Sequence, residues 1–167
     1  MGMVGMDLVR NLLEIIENDP KIGIDEISAL TGSSNAEIRD HISKLEADGT
    51  IRKYKTVINW DQVDNGYVYA IIEIKVILER ETGYNVIADR ISRFPEVRSV
   101  RLISGDHDLS LTVRGRSMKE VAFFVAGKIA TLPQVQSTAT HFVLKTYKED
   151  GVALHEHEQV KRLPIVP

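Results

Sequence analysis

Two short runs of the sequence hold most of the side chains that could do chemistry. The first is Ser104-Gly105-Asp106-His107-Asp108, where two carboxylates flank an imidazole behind a glycine. Glycine permits a tight turn. An acidic turn beside backbone N–H groups can hold the ammonium and carboxylate of an amino acid. The same run also reads as a plain polar β-turn, because Ser, Gly and Asp are ordinary turn formers. As a metal site it is weak, since consecutive residues of an extended chain point to opposite faces. The second run is Arg52-Lys53-Tyr54-Lys55, whose cations suit a phosphate backbone. His155-Glu156-His157-Glu158 invites a metal reading too. Its histidines are two apart, however, not at helical ligand spacing, and the segment is rich in solvated charge.

The chain must position these groups with 167 residues, enough for one medium domain or two small ones. An apolar content of 43% supports a buried core. There is no cysteine, so disulfide and thiolate chemistry are excluded. No charged-then-apolar leader pattern appears, and the apolar-rich stretch Val68–Leu78 is interrupted by Glu73 and Lys75. The expectation is a cytoplasmic protein with no membrane partner. The net charge of −3 opposes nucleic-acid binding as a bulk property, and residues 1–60 carry seven basic against ten acidic side chains. Three of those seven fall within Arg52–Lys55, so distribution matters more than the sum.

Residues 1–58 read as three helices and a basic wing. Leu8, Leu12, Ile15 and Ile16 recur at helical spacing from Asp7 to about Asn18, and Asp19-Pro20 stops that helix. Asp25 is expected to cap a second helix containing Ile27 and Leu30, which Gly32 breaks. Ser34 with Glu37 forms a capping box for a third helix buried through Ile38, Ile42 and Leu45 and ended by Gly49. A β-rich basic run, Ile51–Ile58, follows as a hairpin. This order describes a winged helix-turn-helix. The third helix then presents Asn35, Ala36, Arg39, Asp40 and Ser43, with Lys44 adjacent. Ser33 and Ser34 stand at its N-terminus, where a phosphate or base edge is favoured. Arg39 is the natural base contact, and Arg52, Lys53 and Lys55 would hold the backbone. The same periodicity fits three packed helices with a solvated face, and Asp40 opposes phosphate.

Residues 59–67 read as a polar linker ending at glycine, with Trp60 as a packing anchor. Beyond it lies an internal repeat. Ile91-Ser92-Arg93-Phe94-Pro95-Glu96-Val97-Arg98-Ser99 matches Ile129-Ala130-Thr131-Leu132-Pro133-Gln134-Val135-Gln136-Ser137 at a constant offset, and Ala88 matches Ala126. Each unit is a strand, a helix stopped by proline, and a strand. Doubled, it gives βαββαβ over residues 68–147, a ferredoxin-like (ACT-like) arrangement, and the whole is α+β. Ile72, Ile74 and Val76 alternate with Glu73 and Lys75, and Leu109, Leu111 and Val113 with Ser110, Thr112 and Arg114. One face is thus covered by helices, and the other is expected to pair with another subunit. Residues 148–167 read as a tail, with Leu163-Pro164-Ile165-Val166-Pro167 unable to be helical.

These residues resemble the Lrp/AsnC, or feast/famine, family over about residues 6–147. The motifs are Ile38 with Leu45-Glu46-Ala47-Asp48-Gly49-Thr50-Ile51-Arg52-Lys53-Tyr54, then Phe94-Pro95-Glu96-Val97, Gly105-Asp106-His107-Asp108-Leu109 and Leu132-Pro133-Gln134-Val135-Gln136-Ser137-Thr138. The resemblance implies a transcriptional regulator that binds double-stranded DNA. It implies dimers assembling into tetramers or octamers, with an amino acid or related effector bound between dimers. It places that effector against Gly105, Asp106 and Asp108, with Gln136, Ser137 and Thr138. No cofactor, metal or catalytic residue is implied. Two positions depart from the family pattern. The third helix carries Arg39-Asp40-His41 where several arginines are common, and His107 stands where tyrosine is common. An imidazole there would make effector binding sensitive to pH. Two other readings stand beside this one: an amino-acid sensor without specific DNA binding, and an enzyme on a ferredoxin-like fold with His107 and His141 as its general bases. No nucleophile pattern supports the enzyme.

Overall fold

The computed structural model describes residues 3–63, 66–77 and 83–154. The chain forms two compact units, Met1–Ile58 and Asn59–Pro167.

The first unit contains α1 (Met3–Asn18), α2 (Ile24–Thr31) and α3 (Asn35–Ala47). α1 starts earlier than the expected Asp7 and stops at Asp19-Pro20 as the sequence requires. Asp25 does not cap α2. The capping position is Gly23, and Asp25 lies inside the first turn, where its charge faces the positive end of the helix dipole. Its Oδ1 instead accepts a hydrogen bond from Asn35 Nδ2 at 2.6 Å. Gly32 ends α2 at φ 71°, a left-handed conformation that glycine adopts without strain. The capping box forms: Glu37 N–H donates to Ser34 Oγ, and Ser34 N–H donates to Glu37 Oε2 at 2.9 Å. These Ser34 hydrogen bonds, the backbone one first, hold the Glu37 carboxyl below its ordinary range. Leu12, Ile16, Ile27, Ile38 and Leu45 form the core, with Ile42 and Ile51 against it. Each such side chain contributes about 1.5–3 kcal/mol on burial.

The run 51–58 was expected to form a β-hairpin, and no strand forms there. Its eight residues contain no turn-forming pair, so nothing returns the chain to pair with itself. Isolated two-stranded ribbons are marginal in any case.

The second unit is a four-stranded antiparallel sheet with order β2-β3-β1-β4, built from β1 (Val68–Val76), β2 (Val97–Leu102), β3 (Leu109–Gly115) and β4 (Val135–Phe142). α4 (Gly83–Ser92) and α5 (Met118–Phe124) join the strands, giving βαββαβ. Ala70, Ile72, Ile74, Leu109, Leu111 and Val113 pack with Ile87, Ile91, Val121, Phe124 and Ile129 in one core. The internal repeat holds down to single hydrogen bonds. Phe94 N–H donates to the Ile91 carbonyl and Val97 N–H to that of Phe94, while Leu132 bonds Ile129 and Val135 bonds Leu132 in the same way. The halves differ at α5, which runs on into a π-turn, Val125–Ile129, closed by Ala130 N–H on the Val125 carbonyl at 2.8 Å.

Part of the expected tail is ordered structure. β5 (Lys148–Glu149) and β6 (Val152–Ala153) pair around Asp150-Gly151, at φ 44° and 82°. Both residues are left-handed, as a two-residue hairpin turn demands, and Asp-Gly is the sequence signal for it. The expectations placed on Leu78, His155–Glu158 and Leu163–Pro167 lie outside the described residues. Among the described residues no helix is long and apolar enough to cross a membrane.

Candidate functional site

On α3 the buried edge is Ile38 and Leu45, which leaves Asn35, Ala36, Arg39, Asp40, Ser43 and Lys44 exposed on the outward side. The turn before it is tied by side-chain hydrogen bonds. Ser28 Oγ donates to the Ser33 carbonyl at 2.6 Å, and Thr31 Oγ1 donates to that of Ile27 at 2.8 Å. Ser33 is half-buried, and Ser34 is occupied by its capping box. Asn35 is held by Asp25, a tie that stabilises the turn and engages one of its side-chain donors. Arg39 makes no ion pair among the described residues. Asp40, which opposes phosphate, is paired with Lys44 at 2.6 Å across one helical turn. The Lys44 hydrogen bond, ahead of its charge, keeps the Asp40 carboxyl low. Lys44 is therefore partly spent on neutralising Asp40.

In the following segment Arg52 lies back over Gly49, close enough that a Cβ there would meet its guanidinium at 3.1 Å. This brings a cation to the C-terminal end of α3, which the helix dipole favours. Tyr54 donates its hydroxyl to Glu46 Oε1 at 2.8 Å, tying the segment to α3. Arg52, Lys53 and Lys55 are exposed.

The loop joining β2 to β3 contains Gly105 at φ 132°, with open space where a Cβ would stand. Asp106 is exposed. Asp108 is bound into the fold. Its Oδ2 accepts the Val76 N–H at 2.8 Å, its Oδ1 accepts the Tyr84 hydroxyl at 3.1 Å, and Lys75 Nζ stands 3.7 Å away. The Val76 amide is the largest of the causes that lower its pKa, with the Tyr84 hydroxyl and Lys75 adding to it against the opposing effect of desolvation. Tyr84, in the first turn of α4, was not singled out from the sequence. No local pattern marks it, since its partner Asp108 lies 24 residues away in the chain.

The segment Gln136–Thr138 and the loop lie at the same end of the sheet. Ile74 pairs with Leu109 on one side and with Thr138 on the other, so the loop and the start of β4 flank the C-terminal end of β1. They are two strand spacings, about 10 Å, apart. The three β4 residues do not share a face. Ser137 pairs with Lys75 on the open side, Thr138 pairs with Ile74 on the helix-covered side, and Gln136 sits at a register shift.

On the open face the structure assembles a group the sequence did not reveal. Glu73 lies between His107 Nδ1 at 3.6 Å and His141 Nε2 at 3.4 Å, each contact an ion pair only when the imidazole is protonated. Both histidines considered as general bases thus face one carboxylate. Among the described residues no three His, Asp or Glu side chains are gathered so as to hold a metal ion. A shallow cleft of about 260 Å³ lies at the other end of the sheet, lined by Tyr67, Glu96, Arg114, Arg116 and Glu120.

Comparison with known proteins bears on both units. Residues 7–52 match the model for winged helix-turn-helix DNA-binding domains, and residues 69–153 that for the Lrp/AsnC ligand-binding domain. The chain is 41% identical over 157 residues to the HTH-type transcriptional regulator YugG of Bacillus subtilis, covering 93% of this chain and 95% of the relative. It is 31% identical to the regulator FL11 of Pyrococcus horikoshii, covering 86% and 91%. Among solved structures, the Leucine response regulatory protein of Mycobacterium tuberculosis superposes with a TM-score of 0.71 at 21% identity, over 90% of this chain and 97% of that one. A Neisseria meningitidis transcriptional regulator in complex with L-Met superposes at 0.66 and 22% identity, over 85% and 91%. By its two matched domains and its close relatives, this chain belongs to the Lrp/AsnC family, with a winged helix-turn-helix for DNA ahead of a ligand-binding domain of the αβ-sheet type.

Proposed function

We propose that the protein acts in the cytoplasm as a sequence-specific regulator that binds double-stranded DNA through α3 and responds to an amino acid or related small molecule. The observation that carries this reading is the exposed side of α3, where Arg39 stands without an ion pair among the described residues while Asp40 is neutralised by Lys44. Arg39 with Ser43 reads base edges. Ser33, Ser34 and Asn35 present the helix N-terminus to a phosphate, and Arg52, Lys53 and Lys55 grip the backbone. Gly105, Asp106 and His107, with Gln136 and Ser137, line the effector site, while Asp108 and Thr138 support it from within the fold. The complex of the Neisseria regulator with L-Met supports an amino acid as the class of effector. The open face of the sheet, with Ile71 41% exposed at its middle, is the contact between subunits, giving dimers that assemble further. The protein performs no catalysis in this reading and needs no cofactor.

Fluorescence anisotropy on the protein's own upstream DNA and on scrambled DNA, at one salt concentration and with an amino-acid panel, tests it. Tight binding to the upstream DNA alone, altered by one amino acid, is expected. Equal weak binding to both, with one amino acid still bound in calorimetry, would favour a sensor without specific DNA recognition. The acidic balance of residues 1–60 is the feature on that side.

A further inference from the structure

We infer that the cleft at the Tyr67 end of the sheet is a separate small-molecule site, one that takes a phosphate-bearing metabolite through Arg114 and Arg116. The cleft opens where the strands run out. Val68 pairs with Gly115 in the last rung between β1 and β3, and Tyr67, Glu96 and Arg116 stand just beyond the ends of their strands. α5 closes the remaining wall with Glu120. It comes this near because residue 115 is glycine: a Cβ there would stand 2.8 Å from Val121 Cγ2. The space is about 260 Å³, just under the usual size of ligand pockets and enough for a small molecule. The loop Gly105–Asp108 lies at the opposite end of β1, since Ile74 pairs with Leu109 and Val68 with Gly115. Six residues of strand separate the two ends, about 20 Å.

Two guanidiniums line this space, and neither makes an ion pair among the described residues. Arg114 is half-buried, and its guanidinium lies over the Tyr67 ring at 4.3 Å. That contact fixes the group without using its N–H donors. A guanidinium offers its donors in a planar fork that matches two oxygens of one anion. The carboxylates of the cleft are answered from within the fold. Glu96 Oε1 is paired with Lys128 Nζ at 2.7 Å, and its Oε2 is buried. Glu120 Oε2 accepts the Arg116 backbone N–H at 2.8 Å. Arg114, Arg116 and Lys128 against Glu96 and Glu120 leave a positive excess. An amino acid is a zwitterion and brings no net charge to answer it. A phosphate monoester brings close to two negative charges near neutrality, matching the two unpaired guanidiniums. The concave shape with its aromatic wall suits a small molecule rather than the evenly spaced phosphates on the outside of a duplex.

The probe is inorganic phosphate, titrated with the full chain at fixed ionic strength and followed by line width in phosphorus NMR. The wild type should broaden the line saturably, with a dissociation constant on the order of 1 mM. Arg114→Gln and Arg116→Gln should each raise that constant at least about tenfold, with circular dichroism unchanged. Should Arg114→Gln fail to fold, Arg116→Gln carries the test, because Arg116 is exposed. Arg52→Gln should titrate like the wild type, which separates this site from the basic run after α3. Sulfate should compete with phosphate, and the amino-acid panel should not. No saturation up to about 20 mM overturns the inference, since any site would then be weaker than a metabolite needs. So does saturation that persists in both arginine variants, or displacement of phosphate by an amino acid. Weaker binding of Arg116→Gln to scrambled DNA, with no phosphate bound by the wild type, would assign the arginines to DNA instead. None of these outcomes depends on the amino-acid effector or on recognition of the upstream DNA.

Discussion

The two candidate surfaces hold their functional side chains in opposite ways. On α3 the fold buries Ile38 and Leu45 and leaves Arg39 and Ser43 pointing outward, with the ties made behind them by Ser28, Thr31 and Asp25. At the sheet end the most distinctive side chain, Asp108, is consumed by the fold, through the Val76 amide, the Tyr84 hydroxyl and Lys75. A helix separates its buried and exposed faces by spacing alone, so a contact residue can be free while its neighbours carry the structure. A loop at a sheet edge has orphan backbone groups to satisfy, and a carboxylate placed there serves the scaffold first. The α3 surface is thus a display, and Asp108 in the loop is a strut.

That contrast can be broken or sharpened by substitution. Leu111→Ala empties the middle of the sheet core, where Leu111 is fully buried, and should cost about 2–5 kcal/mol in urea unfolding. Asp108→Asn should come next, at about 1–3 kcal/mol, because it removes a charged acceptor from a half-buried site. A loss of amino-acid binding with no loss of stability would instead make Asp108 a ligand contact. Its pKa is lowered in the fold, so its contribution is present above the ordinary carboxylate value near 4 and lost as pH falls through the lower folded value. The wild type should accordingly lose stability in acid more steeply than the Asn variant, measured by denaturation at pH 7 and at pH 3.

Arg39→Ala should leave stability within about 0.5 kcal/mol, as for an exposed helical site. It should weaken specific DNA binding by about 1–3 kcal/mol, read as anisotropy on the upstream and scrambled sequences. Tyr84→Phe removes one hydrogen bond to Asp108 and should cost about 0.5–1.5 kcal/mol, with a change in effector affinity if the strut holds the loop. Smallest is Lys53→Ala. It should weaken all DNA alike and lower the slope of log affinity against log salt by roughly one unit.

The helical half was the more legible. Gly32, the Ser34–Glu37 box and Gly49 are local signals, each acting within one turn of chain, and all three behave as their residue types require. Asp25 misled because the helix starts one residue earlier, at Ile24 behind Gly23, and the Asp25 carboxylate accepts from Asn35 instead. The Asp150-Gly151 hairpin was legible but passed over inside a run taken as tail. In the sheet half, alternation and the repeat gave the topology. They did not give the partners of Asp108, since Val76 meets it only when β1 pairs with β3 and Tyr84 only when α4 lies on the sheet.

By itself the sequence determined the α+β class, where the first three helices end, the doubled strand–helix–strand unit and which faces of β1 and β3 are apolar. Those follow from periods of 3.6 and 2 and from caps that act over a few residues. Only the tertiary structure decided that Gln136, Ser137 and Thr138 divide between faces, that Asp108 is a strut, and that Glu73 lies between His107 and His141. These depend on strand register and on contacts between segments far apart in the chain. A one-residue change of register would turn every one of those side chains to the other face.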